Sequence, residues 1–250
     1  MTENTGRIMK ANLTVAALLT ASVTNAQIFS EFEPNPAGGD PANQNVELFG
    51  TALAAFDLWI LSIENDGFDG SVDRASNVTG SFDANGIAVV SIPDLENPSN
   101  TLVLTDSFTG STSTDIDPLD DGVLDLSTIG TVLDAVGVSD EVGDDGVLYG
   151  SILGGFDILF NGQFEPLNVF RLGSTGAWYN SVTLNFGQPD ERIGLFGPNN
   201  PTTEILNAPS DTLATTFGSI NPTVVPEPSM YGALIGLLAL GFTVSRRRGR

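Results

Sequence analysis

The sequence predicts an all-β domain, and three observations support this fold class. Short apolar or alternating runs recur between clusters of Gly, Asn, Asp and Pro, which is the pattern of strands separated by turns. No segment between residues 27 and 225 shows a long helical period with caps at both ends. The chain also has no cysteine, so the domain must be stabilised by a packed core rather than by disulfides. Many short strands spaced in this way indicate a sandwich or a barrel.

We expect ten strands between the two terminal segments of the chain. Each is a short run of apolar or alternating residues that ends at a turn signal. In chain order, they lie near residues 27–33, 45–50, 56–63, 87–92, 101–105, 131–136, 156–160, 167–172, 182–186 and 192–196.

The first 26 residues have the layout of a secretory signal peptide. Lys10 precedes a mostly apolar run over residues 11–23, and small or polar residues then lead to Gln27. The run is too short for a stable membrane span. Met9 is a more typical start than Met1, because Glu3 puts a negative charge in a segment that is normally positive. We therefore expect export and a mature N-terminus at Gln27.

The C-terminus contains three different pieces in a fixed order. Pro226 and Pro228 fix two φ angles, so the polar residues around Glu227 are held extended. An uncharged apolar run follows, and the segment 229–245 has the minimum length for a spanning helix. The chain then ends in basic residues that would keep this end in the cytoplasm, namely Arg246, Arg247, Arg248 and Arg250.

This tail, residues 226–250, resembles the PEP-CTERM sorting signal, which exosortase enzymes recognise and process in many Gram-negative bacteria. The motif that carries the resemblance consists of Val225, Pro226, Glu227, Pro228 and Ser229. An ordinary single-pass anchor is the alternative, but such an anchor needs no Pro-Glu-Pro directly before it. The resemblance implies an exosortase as partner, a membrane-anchored stage in transit, and a final location at the cell surface or outside the cell.

A second resemblance begins at the predicted mature N-terminus. Residues 28–31 (Ile-Phe-Ser-Glu) and 46–49 (Val-Glu-Leu-Phe) are similar to the opening strands of a lamin-tail domain. Residues 56–59 (Phe-Asp-Leu-Trp) resemble the next strand of that family, although the family's Ser-Gly is missing here. The apolar strand at 86–92 and the Val-Leu-Asp-Ala-Val run at 132–136 continue the pattern. The resemblance implies an immunoglobulin-like β-sandwich, a fold that hosts many functions.

The charge of the chain excludes nucleic acid as a partner. The chain has 31 acidic and 9 basic residues, and its net charge is −22. The basic residues are concentrated in the two terminal segments, so residues 27–225 retain only Arg74, Arg171 and Arg192. A surface this negative repels nucleic acid and anionic headgroups, and it attracts divalent cations.

The residue types that the chain lacks exclude most catalytic mechanisms. Without histidine and cysteine, the chain has no histidine-based triad, no thiol nucleophile and no histidine or thiolate metal ligand. Residues 27–225 also contain no lysine for a Schiff base or a phosphate-binding loop. Only carboxylate chemistry remains, and in so acidic a chain a suggestive carboxylate spacing carries little information. We therefore predict a non-catalytic protein.

The densest acidic segment, residues 115–125, has two interpretations. Alternating aspartates followed by Asp-Gly and another Asp resemble a calcium loop, in which hard oxygens surround the ion and Gly allows a tight turn. The spacing departs from the EF-hand pattern, since Leu119 stands where a further ligand is expected. A solvated Asp-Gly turn is the other interpretation. If calcium binds, the candidate ligands are Asp115, Asp117, Asp121 and Asp125.

Two aromatic positions are candidates for stacking on sugars. Trp178 and Tyr179 follow a Gly- and Ser-rich loop, so we expect them to be exposed. Trp59 lies in an apolar run and is expected in the core.

These observations divide the chain into four parts and suggest a function. Residues 1–26 form the signal peptide, 27–206 the β-sandwich, 207–225 a Pro-, Thr- and Ser-containing linker, and 226–250 the sorting signal. We expect an exported, non-catalytic protein of the envelope or of an extracellular biofilm matrix. A calcium-assisted polysaccharide-binding module is the alternative, with exopolysaccharide as the partner.

Overall fold

The computed structural model shows an all-β domain built from two sheets, which confirms the fold class expected from the sequence. It describes residues 27–36, 41–65, 70–95, 99–144, 148–160, 166–171, 178–183, 192–197, 200–203 and 215–221. The strands in these ranges are β1 (Ile28–Phe32), β2 (Asn43–Phe49), β3 (Ala55–Glu64), β4 (Val72–Ser81), β5 (Ile87–Pro93), β6 (Asn100–Thr105), β7 (Val132–Val138), β8 (Phe156–Ile158), β9 (Pro166–Arg171), β10 (Trp178–Thr183), β11 (Arg192–Gly197) and β12 (Asn200–Thr203).

The strands form one sheet of seven and one of five. The order in the larger sheet is β12-β11-β10-β9-β1-β2-β5, and in the smaller sheet it is β4-β3-β6-β7-β8. Neighbouring strands are antiparallel except for β7 and β8, which are parallel. The only helical element in the described part of the chain is a single 3-10 turn at Val142–Asp144.

The main core lies between the two sheets. Phe29, Phe32 and Leu48 contribute from the larger sheet, and Leu58 and Leu102 contribute from the smaller one. All five side chains are buried, so the two sheets cover each other's apolar faces. This packing gives the domain its β-sandwich character.

A second core covers the opposite face of the smaller sheet. Leu61 on β3 and Val103 on β6 pack with Phe108, Ile116 and Tyr149 from the connecting segments. Because both faces of this sheet are buried, every residue of β6 is buried, and its central residues Leu102 to Leu104 form an unbroken apolar run rather than an alternating one.

Most of the expected strands are present, and the two strands that were not expected share one physical reason. β4 and β12 were not predicted, because β4 carries few apolar residues and β12 contains a proline. Both are edge strands, which need less apolar sequence than central ones. β10 begins at Trp178, four residues before the expected segment 182–186, and residues 184–186 lie outside the described part.

The two predicted terminal segments, 1–26 and 226–250, lie outside the described residues, including the spanning helix expected at 229–245. Within the described ranges, the structure has no helix with the length and apolar character needed to cross a membrane.

Candidate functional site

The acidic loop 115–125 is organised around one buried carboxylate, that of Asp117. This side chain is fully buried. Its two oxygens accept hydrogen bonds from the backbone N–H groups of Asp121, at 3.1 Å, and Gly122, at 2.8 Å. The hydroxyl of Tyr149 also donates to it, at 3.1 Å. Burial raises the pKa of the Tyr149 phenol far above its ordinary value, and Asp117 acts in the same direction, so the phenol remains a donor.

The other aspartates of this loop stabilise local turns. Asp115 accepts a hydrogen bond from the N–H of Asp117, Asp121 from that of Val123, and Asp125 from that of Ser127, each two residues ahead. Within the described residues, no group of three or more acidic side chains is placed to hold a metal ion.

For the residues that the structure describes, this geometry gives no support to the calcium interpretation. The proposed ligands Asp115, Asp117, Asp121 and Asp125 do not converge, because each carboxylate is directed to backbone N–H groups of its own turn. The Asp-Gly turn therefore fits the structure better. It is not wholly solvated, however, since Asp117 is buried.

The same loop is anchored to the edge of β4. Ser71 pairs with Asp115, and the N–H of Ile116 donates to the carbonyl of Gly70 at 2.9 Å. A Cβ atom on Gly70 would lie 2.8 Å from the Cβ of Asp117, so only glycine allows this close approach.

A polar groove of about 530 Å³ lies beside this anchor. It is lined by side chains that can hydrogen bond to a hydroxylated ligand, together with one valine. Arg74 forms an ion pair with Asp73, and both side chains are partly exposed. The lining residues are Glu64, Ser71, Val72, Asp73, Arg74, Thr112 and Ser113.

The expectation that Trp178 is exposed is wrong. Its side chain is only 2% exposed and belongs to the main core, where its ring meets that of Phe32 edge-on. The guanidinium of Arg171 lies 4.5 Å from the centre of the indole ring. Trp178 is the first residue of β10 and stands opposite Arg171 of β9, and its side chain faces into the sandwich. It is therefore not available for stacking on a sugar.

Several other candidate residues lie outside what the structure describes. For Tyr179, the structure describes the backbone in β10 but not the side chain. The sorting-motif residues Val225, Pro226, Glu227, Pro228 and Ser229 lie outside the described ranges, as do Arg246, Arg247, Arg248 and Arg250.

Sequence reasoning missed a pair of buried glutamates, Glu31 and Glu47. They are directly opposite each other on the paired strands β1 and β2, and both are fully buried. Glu31 accepts a hydrogen bond from the side-chain amide of Asn168 at 2.9 Å. Like charges at opposed positions of an antiparallel pair repel each other, so this arrangement needs compensation.

Part of that compensation comes from residues 215–221, which we call the C-terminal clasp. The backbone N–H of Thr216 donates to Glu31 Oε1 at 2.8 Å, and the N–H of Gly218 donates to Glu47 Oε2 at 2.8 Å. The side-chain amide of Asn221 donates to the carbonyl of Ser30 at 3.0 Å. These seven residues belong to the segment expected to be a linker. Instead of leading away from the domain, they contact its first two strands.

A tight turn shapes the clasp. The N–H of Ser219 donates to the carbonyl of Thr216 at 2.8 Å, and Gly218 has a φ of +78°. A type II turn requires positive φ at this third position, which glycine adopts without strain. The turn brings the N–H of Gly218 to Glu47.

Burial changes the acidity of both glutamates. It raises the pKa of Glu47 from 4.5 to about 7, although hydrogen bonds from Ser30 and Gly218 act in the opposite direction. Burial likewise raises the pKa of Glu31, against hydrogen bonds from Thr216 and Asn168. Among the described residues, Glu47 Oε1 is buried without a hydrogen-bond partner. Burial therefore favours the protonated form of both carboxyl groups, in comparison with exposed carboxylates.

One signal in the sequence pointed to this pair. Both glutamates lie inside segments that the apolar pattern predicts as strands, and Glu47 is flanked by Val46 and Leu48. A carboxylate in the middle of a predicted strand suggests either an exposed face or a buried group with dedicated partners. The partners here come from residues 185 and 171 positions away, so no local pattern identifies them.

Comparison of the chain with protein-family models, with curated proteins and with solved structures finds no match.

Proposed function

We propose that this chain is an exported, non-catalytic protein of the cell envelope or extracellular matrix that an exosortase processes at its C-terminus. The observation that carries the proposal is the order of three sequence segments in the tail: the Pro226-Glu227-Pro228 motif, the apolar run and the terminal arginines. The signal-peptide layout of residues 1–26 supports it independently, because a sorting signal of this kind acts on exported chains.

The composition between the two signals supports the same function. With three arginines and no lysine in residues 27–225, the domain repels nucleic acid and anionic lipid. Its sandwich has two packed cores, which suits a domain that must remain stable without disulfides.

We also propose that the sandwich is immunoglobulin-like and related to lamin-tail domains. The segments that resemble that family coincide with β1, β2, β3 and β5. β1, β2 and β5 are neighbours in the larger sheet, and β3 belongs to the smaller one. The resemblance concerns the fold and assigns no activity.

The second candidate function is binding of an extracellular polysaccharide. The polar groove beside β4 favours it, because carboxylates, hydroxyls and the guanidinium of Arg74 are groups that bind sugar hydroxyls. The groove supports this candidate without reference to calcium, because the described aspartates of the neighbouring loop are not grouped around a common point. Binding to immobilised polysaccharide that weakens with Arg74→Ala would support it, and hydrolysis products in the same assay would instead indicate an enzyme.

The sorting function is tested by changing the motif in the full chain in its native host. Replacing Pro226 and Pro228 by alanine removes the two fixed φ angles that favour an extended motif, the conformation that we propose the processing enzyme recognises. We expect this variant to stay unprocessed in the membrane, while Pro222→Ala, which lies just outside the motif, is processed like the wild type. Equal release of both variants would contradict the proposal.

A further inference from the structure

Three polar side chains, those of Glu31, Thr216 and Asn221, form a hydrogen-bonded row at the clasp. Thr216 Oγ1 lies 2.6 Å from Glu31 Oε2 and 2.7 Å from Asn221 Oδ1. The amide of Asn221 is oriented by its other end, which donates to the carbonyl and hydroxyl oxygens of Ser30. Its Oδ1 therefore faces Thr216 as an acceptor.

The Thr216 hydroxyl has a single proton, so it can donate to only one of these two oxygens. If Glu31 is ionised, both neighbours are acceptors, and one of the two short contacts joins oxygens with no proton between them. If Glu31 is protonated, its own O–H donates to Thr216, and Thr216 donates to Asn221. Every donor and acceptor in this row is then satisfied, while Glu31 Oε1 still accepts from the N–H of Thr216 and from Asn168.

The charged groups around Glu31 favour the same protonated form. Glu47 faces it from β2, and Asp83 adds to the negative potential at Glu47. Arg171 on β9 is already engaged, because its guanidinium bonds to Asp134 and to the carbonyl of Phe29. Burial also raises the pKa of Glu31, which is consistent with a proton held at this position.

We propose that residues 215–221 form an acid-strengthened clasp, closed by a shared proton in the row Glu31, Thr216 and Asn221, which fastens the C-terminal segment to β1 and β2. When the proton is lost as the pH rises, the row is left one donor short, and the clasp opens. The clasp is a property of the folded domain and does not depend on whether the tail is processed.

The clasp also limits how far the tail can reach. Val225 is four residues beyond Asn221, so the start of the sorting motif lies within about 14 Å of the sandwich while the clasp is closed. Opening would add at least the seven residues 215–221 to this tether, which is roughly 23 Å or more of extended chain. The clasp thus couples pH to the distance between the domain and its C-terminal signal.

Hydrogen exchange on the full chain in detergent tests the proposal. The backbone amides of Thr216 and Gly218 are followed from pH 5 to pH 8, and each rate is divided by the intrinsic rate at that pH. Amides of β6 serve as an internal control for global unfolding. We expect protection of the two clasp amides to fall about tenfold over this range, as for loss of the hydrogen bond from protonated Glu31 to Thr216, in addition to any fall that the β6 amides show from the change in global stability.

Two substitutions and a matched control sharpen the result. In Glu31→Gln the amide can donate to Thr216 as the protonated acid does, so protection should stay high up to pH 8. Thr216→Val breaks the row, so protection should be low throughout. Ser219→Ala changes an exposed side chain in the same turn and should follow the wild type. Wild-type protection that does not depend on pH would overturn the proposal, even if the glutamine variant fails to fold. If Glu31→Gln does fold, weaker protection in this variant than in the wild type at pH 5 would also overturn it.

Discussion

Arg171 and Arg74 form ion pairs of very different kinds. Arg171 bonds to both carboxylate oxygens of Asp134, at 2.7 and 2.8 Å, and Asp134 also accepts from the backbone N–H of Phe29. Burial raises the pKa of Asp134, while Arg171 acts to lower it. Arg74 instead pairs with Asp73, its neighbour in the chain, with both side chains partly in solvent. A buried pair loses far more than an exposed one when a single partner is removed.

We therefore expect Arg171→Met to lower the free energy of unfolding by about 3 kcal/mol, because Asp134 would be left buried without its partner. Arg74→Met is the matched control and should cost less than about 1 kcal/mol. Urea unfolding of both variants at pH 7 measures the difference. Similar losses for the two arginines would show that the buried Arg171–Asp134 pair stabilises the fold no more than the exposed Arg74–Asp73 pair does.

At the scale of strands and loops, the sequence predicts those strands whose burial requires a run or an alternation of apolar residues. β3 and β6 are apolar because both faces of their sheet are covered, so they were predicted within one or two residues of their bounds. β4 is mostly polar and was missed, although it forms a long pair with β3. Trp178 was misassigned because a Gly- and Ser-rich segment precedes it, whereas its pairing with β9 is a long-range property.

The clasp is a second case in which long-range contacts could not be predicted from the sequence. Its residues are small or polar, so their composition indicated a linker. What fastens them is a set of hydrogen bonds to Glu31, Glu47 and Ser30, and hydrogen bonds of this kind leave no periodic signal in a sequence.

The acidic loop provides a prediction at this scale. Asp117→Ala removes the acceptor for two backbone N–H groups and for the Tyr149 hydroxyl, so we expect a loss of about 3 kcal/mol in the free energy of unfolding. Asp125→Ala removes only an exposed turn contact and should cost less than about 1 kcal/mol. Thermal or urea unfolding should give the same losses with millimolar calcium and with chelator. A loss that appeared only with calcium would identify Asp117 as a metal ligand instead.

For the whole molecule, three buried carboxylates set the pH dependence of stability. The pKa values of Glu31, Glu47 and Asp134 are all raised by burial, so the folded state binds their protons more tightly than the unfolded state does. Asp83 and Asp106 have the opposite shift, because hydrogen bonds, chiefly from Ile87 and Thr131, lower their pKa values below 3.8. Stability should thus be highest near pH 4.

From that maximum, we expect the free energy of unfolding to fall as the pH rises from 4.5 to about 7, the window set by Glu47. Glu47→Gln removes one of the titrating groups and should reduce this fall by up to about 3 kcal/mol. Urea unfolding between pH 3 and pH 8 provides the measurement. A stability that instead increases steadily from pH 4.5 to 7 would show that the buried glutamates are ionised at little cost.

The central claim, export followed by removal of the C-terminal signal, is tested most directly by the intact mass of the protein isolated from its native cell surface or medium. We predict a mass that corresponds to a chain beginning within about two residues of Gln27 and ending near the Pro226-Glu227-Pro228 motif, without Arg246 to Arg250. A surface form that retains the complete C-terminus, or a cytoplasmic protein that still begins at Met1 or Met9, would contradict the claim.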